Sequence, residues 1–290
     1  MAAESRTNLP AQAVEGQKAD VSFLCSYCNI DESEARARVK ATQEAVASAG
    51  HHAYRCIERA MFTVSRVHTH TDYPSVVKRF ADADFKLLEL GCCFGTDARQ
   101  MLHDGLDPSK LVVSDLLSFY WETGSSVLFR DDMSTVESHF LDFADASFAV
   151  LGKPAEWEQA FDVISAQAIL HVLSEEQCTT FLRHALHCLK PGCGMLLGTC
   201  VGATEAVPSW GDTPTKGLPG RKKETRYLHS VESLTALLLR LGFTGLSVYG
   251  AGRPMEALGL GAQEPNRDTQ PAGPPHLETL AYISFRAIRP

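Results

Sequence analysis

The chain has 290 residues, of which 44% are hydrophobic, and it carries a formal net charge of -8 at pH 7. This composition can bury a sizeable core, and the acidic balance argues against a nucleic-acid partner, because affinity for phosphates comes largely from clustered Lys and Arg. No apolar stretch reaches the roughly 18 to 20 residues of a membrane helix, and the N-terminus has no signal-peptide core. We therefore expect a cytoplasmic protein with neither a membrane nor a nucleic-acid partner. A homodimer is possible, because the sequence does not determine the oligomeric state.

Nine cysteines are scattered through apolar segments, so we expect reduced side chains rather than a disulfide framework. Cys25 and Cys28 have the spacing of metal ligands, but no second pair lies nearby in the sequence. We therefore predict no metal.

The N-terminal part of the chain predicts a flexible start followed by a helix. Residues 1–20 are small and polar and are expected to be flexible. Asp31 and Glu34 have the spacing of a capping box, and Gly50 suits the end of the helix that follows.

A second helix is predicted over residues 54–67, because apolar residues recur there at helical spacing, namely Tyr54, Ile57, Met61 and Val64. Both helices precede the first strand of the predicted sheet. We therefore expect residues 21–82 to form a helical lid over the site, and simple packing against the domain is the alternative.

The stretch 85–115 predicts one strand–helix–strand unit. An apolar run ending at Leu90 meets a turn containing Gly91 and Gly95, a helical pattern follows, and a second apolar run ends at Asp115. That acid lies twenty residues beyond Gly95, where a nucleotide-binding sheet places its ribose carboxylate.

The glycine pattern of this turn differs from the dinucleotide fingerprint, whose later glycines approach a pyrophosphate. The segment from Glu89 to Gly95 reads ELGCCFG. It resembles the acid-x-G-x-G-x-G loop of class I S-adenosylmethionine-dependent methyltransferases, with Cys93 in place of the middle glycine. A ligand without phosphates needs no phosphate cradle, and a sheet turn without any ligand is the alternative.

The remainder of the chain alternates short strands with helices, which is typical of a parallel, doubly wound α/β sheet within one domain, residues 83–290. Strands are predicted at 138–143, 161–166 and 195–199, with a helix at 175–189 between the last two. A further helix, capped by Ser230, precedes two closing strands.

The two closing strands, at 245–249 and 280–287, have no helix between them and should pair antiparallel. Their connection, 250–278, is rich in Pro and Gly and is predicted to be a mobile loop. Five parallel strands followed by such a hairpin resemble the Rossmann-like class I methyltransferase fold, in which the last of seven strands runs antiparallel at the edge.

A closer resemblance covers residues 54–243. The string LELGCCFGTDARQMLHDG, the upstream HTDYP at 70–74, the segment ILHVL around His171 and the segment HSVES at 229–233 resemble fungal secondary-metabolite methyltransferases of meroterpenoid pathways. Those enzymes typically convert a carboxylic acid to its methyl ester. The resemblance implies S-adenosylmethionine as cofactor, S-adenosylhomocysteine as product and a small-molecule acceptor.

The resemblance also implies which residues contact the cofactor: Glu89, Gly91, Cys92, Cys93, Gly95, Asp115, Leu116, Asp142, Phe143 and Gln167. Asp115 should accept the ribose hydroxyls, and Asp142 the exocyclic amine of adenine. Glu89 and Asp142 have an alternative interpretation as helix-capping or loop acids.

The acceptor side is predicted from His171, the catalytic candidate, and from an apolar wall of Tyr54, Met61, Phe62 and Trp210. A carboxyl group with a pKa of about 4 is already ionised at neutral pH, whereas a phenol near 10 needs a base. His171 can either donate to a carboxylate or remove a phenolic proton. A phenol O-methyltransferase is thus the alternative to a carboxyl methyltransferase, and a cofactor-binding subunit without catalysis is a second alternative.

Overall fold

A computed structural model describes residues 19–51, 54–145, 155–213, 223–251 and 280–290. The segments predicted to be flexible (1–20) and mobile (250–278) lie outside these ranges, apart from residues 19, 20, 250 and 251. Both predictions are therefore untested.

One seven-stranded sheet organises the described residues, in the order β3-β2-β1-β4-β5-β7-β6. The strands are β1 Leu87–Leu90, β2 Leu111–Asp115, β3 Glu137–Phe140, β4 Val163–Gln167, β5 Met195–Ala203, β6 Thr244–Ala251 and β7 Leu280–Ile288. The first five pair in parallel, and β7 runs antiparallel to both β5 and β6. The predicted class I methyltransferase sheet with an antiparallel last strand is confirmed, but β7 lies inside the sheet and β6 forms the edge.

Helices cover both faces of this sheet. They are α1 Ser22–Cys28, α2 Glu32–Ala49, α3 Arg55–Glu58, α4 Tyr73–Val77, α5 Thr96–His103, α6 Ser118–Thr123, α7 Glu175–Cys188 and α8 Val231–Arg240. Every residue of β1 is buried; Leu88 and Leu90 join the core under α7 and α8, while Leu87 joins the core under α4 and α5. The strand order reverses between β1 and β4, so the carboxyl ends of these two strands border the crevice where open α/β sheets bind ligands.

The N-terminal helices pack on the loop that follows β1. The Asp31 carboxylate accepts a hydrogen bond from the Glu34 N–H at 2.8 Å, and Gly50 ends α2 with φ +73°, as predicted. Apolar residues of α1 and α2 form one buried cluster with Phe94 and Tyr120. The cluster covers the loop, and its closure over a bound molecule stays a prediction.

The predicted helix over 54–67 is wrong. Helix α3 has a single turn, because Ala60 takes a left-handed conformation with φ +53°. The chain then continues through two 3₁₀ turns, Met61–Thr63 and Val67–Thr69. Asp97, in the first turn of α5, accepts the Arg66 N–H at 2.7 Å, so a tertiary hydrogen bond replaces a helical one there.

Smaller differences concern where strands begin and end. The predicted strand at 138–143 is shifted, because β3 ends at Phe140 and leaves Asp142 in the following turn. Strand β5 is longer than predicted and extends to Ala203, since its last residues pair with β7. All nine cysteines are free, as predicted. Among the helices of the described ranges, none is both long and apolar enough to cross a membrane.

Candidate cofactor and acceptor site

The loop after β1 is a tight turn that requires glycine at its first position. Gly91 has φ +70°, and its N–H donates to the Ser114 carbonyl of β2 at 2.7 Å. A Cβ at Gly91 would lie 2.8 Å from the Ile169 side chain, closer than real Cβ contacts allow. The loop can therefore pass this close to the β4 side of the crevice only without a side chain.

Cys93 occupies the position that the resemblance gives to the middle glycine, and its backbone is left-handed, with φ +49°. Such a conformation costs roughly 1–2 kcal/mol for a residue with a Cβ. A hydrogen bond from the Cys93 N–H to the Asp115 carboxylate, 2.8 Å long, offsets part of this cost. The loop thus keeps a glycine-like shape without the glycine.

Asp115, at the end of β2, ties the loops after β1 and β2 together. Its other carboxylate oxygen accepts the N–H of Leu116 at 2.7 Å and that of Leu117 at 3.4 Å. Burial raises the pKa of Asp115, and these backbone donors act in the opposite direction. The half-buried carboxylate lies at the crevice, where the sequence predicted a ribose ligand.

Glu89 lies beneath the same loop and is 3% exposed. Within the described ranges, its Oε2 atom is buried without a hydrogen-bond partner. Burial, followed by the charge of Asp97, raises the pKa of Glu89 well above its usual value. A buried carboxyl oxygen that lacks a donor suits a cationic group, so the site fits the methionine ammonium of S-adenosylmethionine.

Asp142 and Phe143, predicted to meet adenine, face in different directions. The half-buried Asp142 carboxylate accepts the Ala144 N–H at 3.1 Å. The Phe143 ring is buried in the core, with its centroid 5.1 Å from that of Phe181 on α7. The Phe143 side chain therefore anchors the turn from the core, and contact of Asp142 with adenine stays a prediction.

Gln167 ends β4, and its side-chain amide bridges two strands. It donates to the Ser165 hydroxyl at 3.1 Å and accepts from the Thr199 hydroxyl of β5 at 2.9 Å. Both ends of the amide are thus held by the sheet, which fixes the side chain at the carboxyl ends of β4 and β5.

His171 follows β4 in a 3₁₀ turn, Leu170–Val172. Its Nδ1 atom accepts the backbone N–H of Val201 on β5 at 3.4 Å. Burial of the ring, then the charges of Arg66 and Arg226, lower the pKa of His171 to about 3. The neutral ring with Nδ1 as acceptor carries its proton on Nε2, which makes Nε2 a donor.

The predicted acceptor wall is only partly brought together. The ring of the half-buried Tyr54 lies 6.2 Å from that of Tyr120, whereas Phe62 is 4% exposed and packs against Phe94 at 4.7 Å. Phe62 therefore supports the loop after β1. Met61 is half-buried in the turn beside it.

Trp210 lies on a separate arm formed by residues 207–213 and 223–228. Two antiparallel bridges, Val207 with Leu228 and Asp212 with Thr225, join the halves of the arm. The Trp210 N–H donates to the carbonyl of Arg226 at 2.9 Å. The arm thus places Trp210 and Arg226 next to each other along its backbone.

Arg99, on α5, is a structural residue that the sequence did not reveal. Its fully buried guanidinium makes a bidentate contact with Asp131, at 2.8 and 2.7 Å, and donates to the carbonyls of Phe94 and Gly95 at 3.0 Å. It therefore fixes the loop after β1 from behind.

No cluster that could hold a metal occurs among the described residues.

No protein-family model matches the chain. The O-methyltransferase atr3 of Stereocaulon alpinum is 30% identical over 160 residues, which cover 53% of this chain and 45% of that protein. The asnovolin E/chermesin D methyltransferase nvfJ of Aspergillus novofumigatus is 29% identical over 153 residues, covering 51% and 52%. The predicted resemblance to fungal methyltransferases is confirmed. The chain spans about half the length of the curated relatives that it matches.

Among solved structures, a SAM-dependent methyltransferase from Archaeoglobus fulgidus is 13% identical, with a TM-score of 0.49, over 82% of this chain and 100% of that one. Phosphoethanolamine N-methyltransferase 2 from Haemonchus contortus is 17% identical, with a TM-score of 0.48, over 75% and 52%. At these values the fold assignment depends on the strand order described above.

Proposed function

We propose that this chain binds S-adenosylmethionine and transfers its methyl group to the carboxylate of a small organic acid, forming a methyl ester. The names of the fungal relatives support a methyltransferase of secondary metabolism, and the resemblance at 54–243 supports a meroterpenoid acceptor. The choice of a carboxylate depends on one observation, the orientation of His171.

The cofactor half of the proposal depends on the loop after β1. Asp115 would accept the ribose hydroxyls, and Glu89 offers an unpaired carboxyl oxygen to the ammonium group. Asp142 lies at the next loop along the crevice edge, with its carboxylate half-buried. When bound, the cofactor supplies a methyl group made electrophilic by its sulfonium.

The acceptor half depends on which nitrogen of His171 is free. The Val201 N–H occupies the Nδ1 lone pair, so Nε2 carries a proton and can donate to an acceptor oxygen. A general base needs a free lone pair and a pKa near the working pH, and His171 has a pKa of about 3. This arrangement favours an acceptor that is already ionised, as a carboxylate is at neutral pH.

Transfer to a carboxylate needs no proton movement. In such a transfer, the methyl carbon would exchange its bond to the sulfonium sulfur for a bond to the carboxylate oxygen. The chain contributes alignment and exclusion of water, and such positioning is worth roughly 7–11 kcal/mol in well-oriented reactions. The apolar cluster of α1 and α2 over the loop supports the second role.

The proposal is tested by incubating the protein with S-adenosylmethionine labelled in the methyl group and a panel of carboxylic acids and phenols. We expect products that mild base hydrolyses, because esters are cleaved and aryl ethers are not. Base-stable products would support the phenol alternative instead. Binding of S-adenosylhomocysteine without any product from the panel or from extracts of the source organism would support the non-catalytic alternative.

His171→Gln separates the two enzyme proposals. Gln keeps a donor near the reacting oxygens, so we expect an activity loss on the order of tenfold or less, whereas removal of a general base costs roughly 10²–10⁴-fold. We also expect a nearly flat rate between about pH 6.5 and 9, because neither the carboxylate nor His171 titrates there. A loss above about a hundredfold in a folded variant, with a wild-type rate that climbs with pH, would overturn the carboxyl proposal.

A further inference from the structure

We infer that Arg66 and Arg226 form an anion-binding pair beside His171 that holds the carboxylate of the acceptor. The inference rests on the proposed function and deepens it, because it names two residues that select an anionic acceptor. Neither residue belongs to the cofactor loop, and they come from segments 160 residues apart in the sequence.

Arg66 lies in the segment 62–70, which is hydrogen-bonded to α5 at one end and to β7 at the other. At one end, the Thr96 hydroxyl donates to the Phe62 carbonyl, and the Asp97 carboxylate accepts the Arg66 N–H at 2.7 Å. At the other end, His70 Nε2 bonds the Phe285 carbonyl of β7 at 3.1 Å. Arg66 is therefore held between the loop after β1 and strand β7.

The Arg66 guanidinium lies among groups that are neutral at pH 7. It is half-buried, shares a hydrogen bond with the Cys56 thiol and comes close to the Tyr282 hydroxyl. Among the described residues, Asp97 is the acid whose charge acts on Arg66, and its carboxylate binds backbone N–H groups and the Ser65 hydroxyl rather than the guanidinium. The positive charge of Arg66 is thus left without a close ion pair.

Arg226 reaches the same place from the arm. The N–H of the next residue, Tyr227, donates to the Leu173 carbonyl at 2.9 Å, two residues beyond His171. Arg226 is half-buried, and in the described part of the chain its buried Nε atom has no hydrogen-bond partner. Burial lowers the pKa of Arg226, and the charge of Asp212 on the same arm, whose carboxylate pairs with Lys223 at 2.7 Å, acts in the opposite direction.

The sheet register brings these groups together. Val201, whose N–H holds His171, pairs directly with Tyr282 of β7, and Tyr282 comes close to the Arg66 guanidinium. Arg226 is tethered next to the His171 turn by the Tyr227–Leu173 hydrogen bond, and the charges of both arginines act on the His171 ring. The backbone contacts thus bring the segments of both arginines beside the His171 turn, and we infer that their guanidinium groups face the same space as the Nε2–H donor.

This donor set suits a carboxylate. A half-buried guanidinium that lacks a counter-charge is unfavourable, and a carboxylate relieves that cost through charge-assisted, often bidentate hydrogen bonds. A neutral phenol offers no such charge. Methylation removes the charge of the acceptor, so the pair binds the acid more tightly than the ester and favours release of the product.

The test measures binding of two probe acids, benzoate and the terpenoid acid abietate, to the full chain loaded with S-adenosylhomocysteine. Each acid is compared with its methyl ester by isothermal titration calorimetry. We expect the acids to bind at least about tenfold more tightly than the esters, and Arg66→Gln or Arg226→Gln to remove most of that preference. Arg240→Gln, at an exposed position on α8, is the matched control and should change nothing.

Affinity for S-adenosylhomocysteine separates this inference from the proposed function. If the wild-type chain does not bind S-adenosylhomocysteine, the proposed function is refuted. Normal cofactor affinity with equal binding of acid and ester, or with an acid preference that survives both substitutions, would refute the arginine pair alone.

Labelling of the wild-type chain keeps the inference testable if a variant fails to fold. Phenylglyoxal modifies accessible guanidinium groups, and peptide mapping reports each arginine separately. We expect benzoate to slow modification of Arg66 and Arg226, and methyl benzoate to leave it unchanged. Equal protection by both compounds, or protection of neither arginine, would overturn the inference.

Discussion

The two sides of the crevice differ in charge and in how their polar groups are satisfied. On the cofactor side, Asp115 and Asp97 accept hydrogen bonds from several backbone groups, and only Glu89 Oε2 lacks a partner among the described residues. On the acceptor side, Arg66 and Arg226 form no ion pair among the described residues, and the buried Nε atom of Arg226 has no hydrogen-bond partner there, although Asp97 and Asp212 lie in the neighbourhood. The cofactor side is thus acidic and internally braced, and the acceptor side is basic and incompletely satisfied.

This difference matches the charges of the two proposed reactants. A sulfonium cofactor with an ammonium group is cationic, and a carboxylate acceptor is anionic. Each side of the crevice would therefore attract one reactant and repel the other, which lowers the chance that either binds in the wrong half.

The largest expected effect concerns the bracing of the cofactor side. Arg99→Met leaves Asp131 without its buried partner, and breaking such a pair typically costs about 3–5 kcal/mol. We expect that loss in the free energy of unfolding measured with urea. Arg36→Met, which breaks an exposed pair with Glu32, is the control and should cost less than about 1 kcal/mol. Equal losses of unfolding free energy in the two variants would show that Arg99 does not brace the loop after β1 more than an exposed ion pair does.

Asp115→Ala tests the acidic character of the cofactor side. It removes charge-assisted contacts to the ribose hydroxyls, so we expect affinity for S-adenosylhomocysteine to fall more than roughly tenfold in calorimetry. Asp107→Ala removes an exposed acid that caps the turn before β2 and should leave the affinity unchanged. Unchanged affinity in a folded Asp115→Ala protein would take Asp115 out of the site, and tight binding of NAD would contradict the proposed cofactor.

Two glycines with nearly the same backbone conformation test the close approach at the loop. Gly91 and Gly50 have φ +70° and +73°, but an added Cβ meets Ile169 at 2.8 Å only at Gly91. Ala should cost about 1 kcal/mol at Gly50 through backbone strain, and about 1–3 kcal/mol more at Gly91 through overpacking. Thermal unfolding of both variants gives the comparison. Equal destabilisation would show that the Ile169 contact relaxes freely.

The smallest expected effect is a proton linked to cofactor binding. Because the pKa of Glu89 is raised, its carboxyl group in the free protein stays protonated at pH values above the usual range, and the ammonium group of the ligand favours the ionised form. Binding of S-adenosylhomocysteine should then release up to one proton and strengthen as pH rises through the raised pKa. Calorimetry in phosphate and in Tris measures the release. Glu89→Gln should abolish it, and a release that persists in this variant would come from another group.

The sequence predicted the local structure of the unit from β1 to β2 far better than that of the segment containing Arg66, for a physical reason. The loop from Glu89 to Gly95 and the acid at Asp115 belong to one contiguous unit whose spacing follows from strand and turn geometry. The helix over 54–67 was wrong because contacts with Phe94 and Asp97, more than 30 residues away, override the local apolar stripe.

Residues brought together from distant segments left no local signal. Arg99 and Asp131 lie 32 positions apart, and nothing in either neighbourhood indicates a buried ion pair. Arg66 lies in the segment whose apolar stripe wrongly predicted a helix, Arg226 lies in a segment without helical or strand periodicity, and neither pattern indicates a shared site. His171 was identified by its position after a strand, but its role as donor depends on the Val201 N–H of another strand.

The place of β7 between β5 and β6 has a consequence for synthesis of the chain. Met195 of β5 pairs with Ile288, and β6 reaches the sheet only through β7. While residues 280–288 are still inside the ribosome, β5 therefore exposes an unpaired apolar edge and β6 has no neighbour. Exposed edges pair readily with other chains, and contacts of such long sequence separation form slowly. The nascent protein would be most prone to aggregate, and most dependent on chaperones, in the interval before this one strand is inserted.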